Sequence, residues 1–223
     1  MKIPVRFVFI ILAITLNQIA FGQDELLIRG FLRDFDTKEK LINSDVTVYK
    51  NGRLESSVKT GITGMYELHL ELGFLYRVKF SRVDYHSKIV EFDLTNIPPE
   101  EQEGGYMMDL PGTLFKAQKG FDKKILKEPI GKVYFSSENN SLEYDEAYHT
   151  KMKAKIDAEF ARLKSIQDKK YNSEISKAEK AMQSKKWKAA KKYYSKALKI
   201  KPEESLPKEK IQEIEGILQG QKK

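Results

Sequence analysis

From Leu26 to Leu94 the apolar positions recur every second residue. Tyr66, Leu68, Leu70 and Leu72 alternate with Glu67, His69 and Glu71, Tyr76, Val78 and Phe80 alternate with Arg77 and Lys79, and Val90, Phe92 and Leu94 continue the pattern. Successive side chains on a strand point to opposite faces, so each run predicts a strand with one buried and one wet face. Asn51-Gly52 lies between Val46–Lys50 and Leu54–Val58, and both residues tolerate the positive φ of a type I′ hairpin turn. Gly61, Gly64 and Gly73 punctuate further boundaries. Short strands at this spacing predict a seven-stranded β-sandwich over residues 23–95.

Residues 96–143 read as a connecting segment packed on that sandwich. Pro98-Pro99, an acidic run at Glu100, Glu101 and Glu103, and Gly104-Gly105 are loop chemistry, whereas Met107, Leu110, Leu114, Phe115 and Val133 are too apolar for a free linker. One more strand is predicted from Ile130 to Phe135. After Leu142 the period changes to about 3.6. Tyr148, Met152, Ile156, Phe160, Leu163, Ile166, Ile175, Ala178 and Met182 follow at spacings of mostly three and four, with no Pro or Gly before Pro202. One long amphipathic helix, or two broken near Tyr171-Asn172-Ser173, fits this stripe over an all-α region 144–223. A stripe this narrow needs a covering surface: the sandwich, the hairpin that follows, or a second copy of the chain in a homo-oligomer.

The β region carries a resemblance. Ile28, Gly30, Leu32 and Asp34, the run Leu41–Val48, Thr60, Gly64, Tyr66, Leu68, Leu70 and Gly73, then Tyr76, Val78, Asp84 and Tyr85 resemble the carboxypeptidase regulatory-like domain, a transthyretin-type (Ig-like) β-sandwich. The resemblance implies a non-catalytic accessory module of the kind found in exported bacterial envelope proteins. The chain departs from the family where Gly61 replaces an Asp and Asp84 replaces a Gly, and the lost carboxylate argues against a cation site there. Further along, Ala178, Trp187, Ala190, Tyr194, Ala197, Leu198 and Pro202 resemble one tetratricopeptide repeat at about 171–204, with a capping helix at about 207–219. Small residues let the helices approach, aromatics fill between them, and Pro stops the second helix. A peptide groove of the repeat family needs three or more units, more than this chain supplies alone.

Lys2 and Arg6 precede an apolar run from Phe7 to Leu16, and Ala20-Phe21-Gly22 follows. That order predicts a signal peptide over residues 1–22, cleaved after Gly22, in a run too short to span a bilayer. The expected address is therefore outside the cytoplasm, periplasmic or outer-membrane-associated or extracellular, with no membrane span after cleavage. The chain has no cysteine, which excludes disulfides, thiol nucleophiles and sulfur-ligated metals.

Charge sharpens the picture. Forty Lys and Arg against 32 Asp and Glu give a net +8, with 32% charged residues and a mean hydropathy of −0.54. The charge is polarised: residues 23–112 carry a net −5 and residues 113–223 a net +11. Nine lysines and no acid lie between Lys180 and Lys201, and Lys185, Lys188, Lys192, Lys196 and Lys199 fall on one helical face. Like charges at that spacing mildly destabilise a helix. With Trp187 and Tyr194 they are the candidate partner-binding residues, suited to an envelope protein or an anionic envelope surface. A solvated outer face, or docking on the chain's own acidic sandwich, explains the same lysines. Nucleic acid is disfavoured, because after residue 112 Arg162 is the sole arginine.

Chemistry is sparse. His69, His86 and His149 are the three imidazoles, and no nucleophile elbow, zinc-protease motif or phosphate loop occurs. Glu67, His69 and Glu71 share the wet face of one strand, but residues two apart are about 7 Å from each other and hold one ion only with help from elsewhere. No catalytic residue, metal ligand or cofactor is assigned. The reading is a non-enzymatic exported adaptor or scaffold. The alternative is a carbohydrate-binding or enzyme-accessory module, with Tyr49, Phe31 and Tyr85 as aromatic candidates, and a hydrolase ranks third.

Overall fold

A computed structural model describes residues 25–220; the signal peptide expected over 1–22 lies outside the described residues. Ten strands in two sheets precede three helices. The strands are β1 (Glu25–Asp34), β2 (Asp45–Lys50), β3 (Arg53–Lys59), β4 (Met65–Glu71), β5 (Leu75–Ser81), β6 (Lys88–Asp93), β7 (Tyr106–Asp109), β8 (Gly112–Leu114), β9 (Gly131–Ser136) and β10 (Ser141–Tyr144). In the first sheet β1 is central, antiparallel to β4 and parallel to β7 and then β8. The second runs β10-β9-β6-β5-β2-β3. Asn51 and Gly52 adopt φ of 48° and 79°, the pair of positive values that a type I′ turn requires, and they join β2 to β3.

The alternation in sequence becomes the core. Leu70 and Leu68 of β4 lie beside Leu26 and Ile28 of β1, with Tyr66 opposite Gly30, and Tyr76, Val78, Phe80, Val90 and Phe92 fill the space from the other sheet. The segment 96–143, expected to pack on the sandwich with one strand at Ile130–Phe135, supplies β9 (Gly131–Ser136) at that place and also β7, β8 and β10, so the two sheets extend to Tyr144 and exceed seven strands. β7, β8 and β10 are three or four residues long and carry mostly half-buried positions, too short for alternation to register. Gly30 is required for that closure, since a Cβ there would lie 2.1 Å from the Leu110 carbonyl oxygen. That oxygen accepts the Tyr66 hydroxyl, and the Leu110 N–H donates to the Arg29 carbonyl at 2.7 Å.

Asp34 ends β1 in a knot of its own. Its carboxylate accepts the N–H groups of Asp36 and Thr37, each at 2.8 Å, and the Tyr85 hydroxyl at 2.7 Å. These bonds, the Thr37 N–H foremost, hold its pKa down at about 2.

The helices are α1 (Glu146–Gln183), α2 (Trp187–Ile200) and α3 (Ser205–Gly220). Asp145 caps α1 by accepting the Tyr148 N–H. The helix runs 38 residues without a break at Tyr171-Asn172-Ser173, roughly 57 Å at 1.5 Å per residue. Its apolar stripe has two covers. Ile156, Phe160 and Leu163 pack on Phe115, Phe121 and Leu126 beside the sandwich, while Tyr171, Ile175, Ala178 and Ala181 pack on α2 and α3. Ile166, between the two, is exposed. Phe160 meets Phe115 and Phe121 with ring centroids 4.9 and 5.6 Å apart. Glu159 locks this joint: it accepts the Asp122 N–H at 2.7 Å and the Arg162 guanidinium at 2.6 and 2.7 Å, and Arg162 also donates to the Gly120 carbonyl.

Small residues bring α1 and α2 together, with Ala178, Ala190 and Ala197 fully buried. The turn between them closes with Lys186 N–H on the Ala181 carbonyl and Lys185 N–H on the Met182 carbonyl, a Schellman arrangement. Lys185 occupies its left-handed position at φ 54°, where glycine is usual. Lys201 precedes Pro202 in an extended conformation and ends α2.

Candidate functional site

α1 and α2 form the two walls of a groove of about 610 Å³. Lys169, Lys170 and Lys177 line it from α1, Lys196 and Lys199 from α2, and Ser173, Glu174 and Ile200 complete it. Residues 169, 170 and 177 recur at spacings of seven and eight, so all three lie along one side of α1. The groove holds a single carboxylate. Glu174 is paired with Lys177 and stands 4.0 Å from Lys196, which leaves Lys169, Lys170 and Lys199 without an ion pair among the described residues. Among the described residues every ion pair made by a lysine of α1, α2 or α3 is to an acid of these same helices, as in Lys153–Asp157 and Lys191–Glu215. No salt bridge ties the described lysines of α2 to the acidic sandwich. Electrostatically the groove is an excess of positive charge between rigid walls, suited to an acidic segment.

The sequence-derived candidates separate. Lys196 and Lys199 belong to the groove, and Lys188 and Lys192 continue the same exposed face of α2 beyond it. Lys185 is not on that face: it sits in the α1–α2 turn, where the helical periodicity that grouped it with the others does not apply. Tyr194 is 2% exposed, and burial raises its pKa. It fills the contact between the helices and offers no surface. Trp187 is half-buried against the same core. Sequence reasoning missed Lys169, Lys170 and Lys177 because it followed lysines along α2 alone. Their spacing on α1 was the available signal.

Glu67, His69 and Glu71 do line the outer face of β4, each bound to other charges. His69 contacts Glu25 at 2.7 Å through Nδ1 and Glu67 at 3.3 Å through Nε2, Arg29 bonds Glu67 at 2.7 Å, and Glu71 pairs with Lys50. Glu25, then Glu67, pull the His69 pKa up. The face is a ladder of cross-strand ion pairs. Among the aromatic candidates, Tyr49 and Tyr85 line one shallow depression on the second sheet, whereas Phe31 is on the first. The hydroxyl of Tyr85 is committed to Asp34, and burial, then that hydrogen bond, push its pKa up to about 12.

No helix among the described residues is long and apolar enough to cross a membrane. No family model matches the chain, and no curated protein does. Among solved structures, 3-chlorocatechol 1,2-dioxygenase of Rhodococcus opacus 1CP is 13% identical, with a TM-score of 0.32, over 42% of this chain and 61% of its own. The group B streptococcus pilus 2b backbone protein is 13% identical, with a TM-score of 0.30, over 42% of each chain. The 5-hydroxyisourate hydrolase of Klebsiella pneumoniae is 9% identical, with a TM-score of 0.31, over 41% of this chain and 92% of its own. The chain thus spans less than two thirds of the dioxygenase and pilus proteins. Likeness at this level carries no argument about activity.

Proposed function

We propose that the chain is a non-enzymatic, exported adaptor: a regulatory-like, transthyretin-type β-sandwich holds a long helix whose repeat-like hairpin docks an acidic segment of an envelope protein. The observation that carries this reading is the groove between α1 and α2, where five lysines face one glutamate. Three of those lysines have no ion-pair partner within the described chain, so a carboxylate-rich segment gains charge pairing without breaking existing bridges. The signal-like residues 1–22 support the address, and the clamp around Glu159 supports a fixed geometry between platform and arm.

The test is capture of cross-linked partners from native envelopes at low salt, by wild type and by a Lys169→Glu, Lys177→Glu, Lys196→Glu, Lys199→Glu variant. The reading expects an acidic envelope protein with wild type, lost on charge reversal and weakened by salt. Equal capture by both proteins overturns it. The carbohydrate-binding alternative has the Tyr49–Tyr85 depression in its favour. Glycan binding abolished by Tyr49→Ala, with the lysine variant unaffected, would favour that alternative.

A further inference from the structure

At one end of the sandwich the two sheets part, and the first half of α1 closes the gap over a cavity of about 280 Å³. Leu32 of β1, Phe80 of β5, Val90 of β6 and Phe115 line its inner side, and Ile156 and Phe160 of α1 form its roof. Exposed Phe35, Pro111, Lys153 and Asp157 stand at its rim.

Lys88 sits inside this apolar chamber. It pairs across the ladder with Phe80, so its side chain points to the inner face of β6 with Val90, and it is 8% exposed. Its ammonium lies 5.0 Å from the centre of the Phe115 ring and makes no hydrogen bond or ion pair among the described residues. The other ionisable side chains of the cavity wall are engaged. Lys153 and Asp157 neutralise each other at 2.8 Å. Nδ1 of His149 lies 3.2 Å from the Ile130 carbonyl and 3.1 Å from the Tyr144 hydroxyl. A buried cation with no counter-charge is costly, and burial lowers the Lys88 pKa to about 8. Apart from the Phe115 ring it has no charge partner among the described residues, so an anion entering the cavity would meet an unpaired ammonium.

We propose that this cavity binds a small organic monocarboxylate, its head group against Lys88 and its apolar body against Phe80, Val90, Ile156 and Phe160. The size follows from volume: a cavity of about 150 Å³ takes benzene, so this one suits a short alkyl chain or a single substituted ring. The charge follows from the inventory. One unpaired cation balances one negative charge, whereas a dianion or a cation would leave net charge in an apolar chamber. The site is independent of the lysine groove.

Calorimetric titration of the exported chain with octanoate, octanol and octylammonium tests the proposal. Octanoate is expected to bind one to one, at least tenfold tighter than octanol, with no binding of octylammonium. Lys88→Met, which keeps an unbranched apolar side chain in place, should weaken octanoate about tenfold or more and bring it level with octanol. Ile156→Trp should block all ligands by filling the chamber. Octanoate binding should also fall above about pH 8 as Lys88 deprotonates, with His149, Tyr144, Lys153 and Asp157 the other ionisable groups facing the cavity. Absence of saturable octanoate binding, equal affinity for octanoate and octanol, or octanoate binding unchanged in Ile156→Trp would overturn it. Should Lys88→Met fail to fold, the ligand series and the Ile156 variant still decide.

Discussion

Replacing Lys185 by glycine should stabilise the helical hairpin, although it removes a side chain and a charge. The backbone of Lys185 is held at φ 54° by the two hydrogen bonds that close the end of α1. A side chain with a Cβ costs about 1–2 kcal/mol in that conformation. Glycine avoids this cost but gives the unfolded chain extra freedom worth about 0.4–1 kcal/mol. The balance is a gain of about 0.5–1 kcal/mol. For a unit of roughly 60–100 residues, 1 kcal/mol moves Tm by about 4–8 °C, so a rise of about 2–8 °C is expected. Trp187, the chain's one tryptophan, is half-buried two residues away and reports melting by its fluorescence. Lys185→Ala is the control, because it removes the charge and keeps the Cβ. If the glycine variant melts no higher than the alanine variant, strain at this turn is not what limits the hairpin and the argument fails.

Further predictions concern closure of the sandwich and its joint with α1. Gly30→Ala should destabilise by about 2–3 kcal/mol in urea unfolding, since the obstacle to its Cβ is the Leu110 backbone rather than a flexible side chain. Glu159 has its pKa held at about 2 by the Arg162 guanidinium and then the Asp122 N–H. Its contribution is therefore complete above the ordinary carboxylate range and is lost as pH falls toward 2. Proteolysis of the 116–128 loop should accelerate over that window in wild type and be fast at every pH in Glu159→Ala. His86 is 4% exposed against Phe115 and Phe121, and burial, then Lys123, lower its pKa. The unfolded chain then takes up its proton first, so stability should fall as pH drops below about 6.5, and the decline should be shallower in His86→Phe.

Strand periodicity was legible wherever a strand ran six residues or more with one buried face, which is why β4, β5 and β6 could be read from Tyr66 to Leu94. Carrying the same phase two and four residues back from Val90 puts Lys88 and His86 on the inner face. Both are buried, a result that the polar identity of the residues obscured. Of the strands from 106 to 144 only β9 was read, from Ile130 to Phe135; β7, β8 and β10 escaped because each is three or four residues long and β1 pairs with β7 and β8 in parallel, a non-local contact with no turn signature. The groove was half legible. Lysines on α2 declare themselves by spacing, but the opposing wall depends on which turns of α1 meet α2. Tyr194 shows the converse limit, since an aromatic beside lysines reads as a docking residue until the partner helix covers it. The Glu159 clamp joins residues about forty positions apart and leaves no local pattern.

The account rests most heavily on the claim that the lysine groove is occupied in the envelope. A photo-crosslinking side chain at Ser173, exposed within the groove, measures this directly in cells that make the chain, with Ser56 on the outer edge strand β3 as reference. The account predicts adducts with an acidic protein at position 173, absent at position 56 and lost when Lys196→Glu and Lys199→Glu are added. Adducts that persist through both charge reversals, or their absence at position 173, would contradict it.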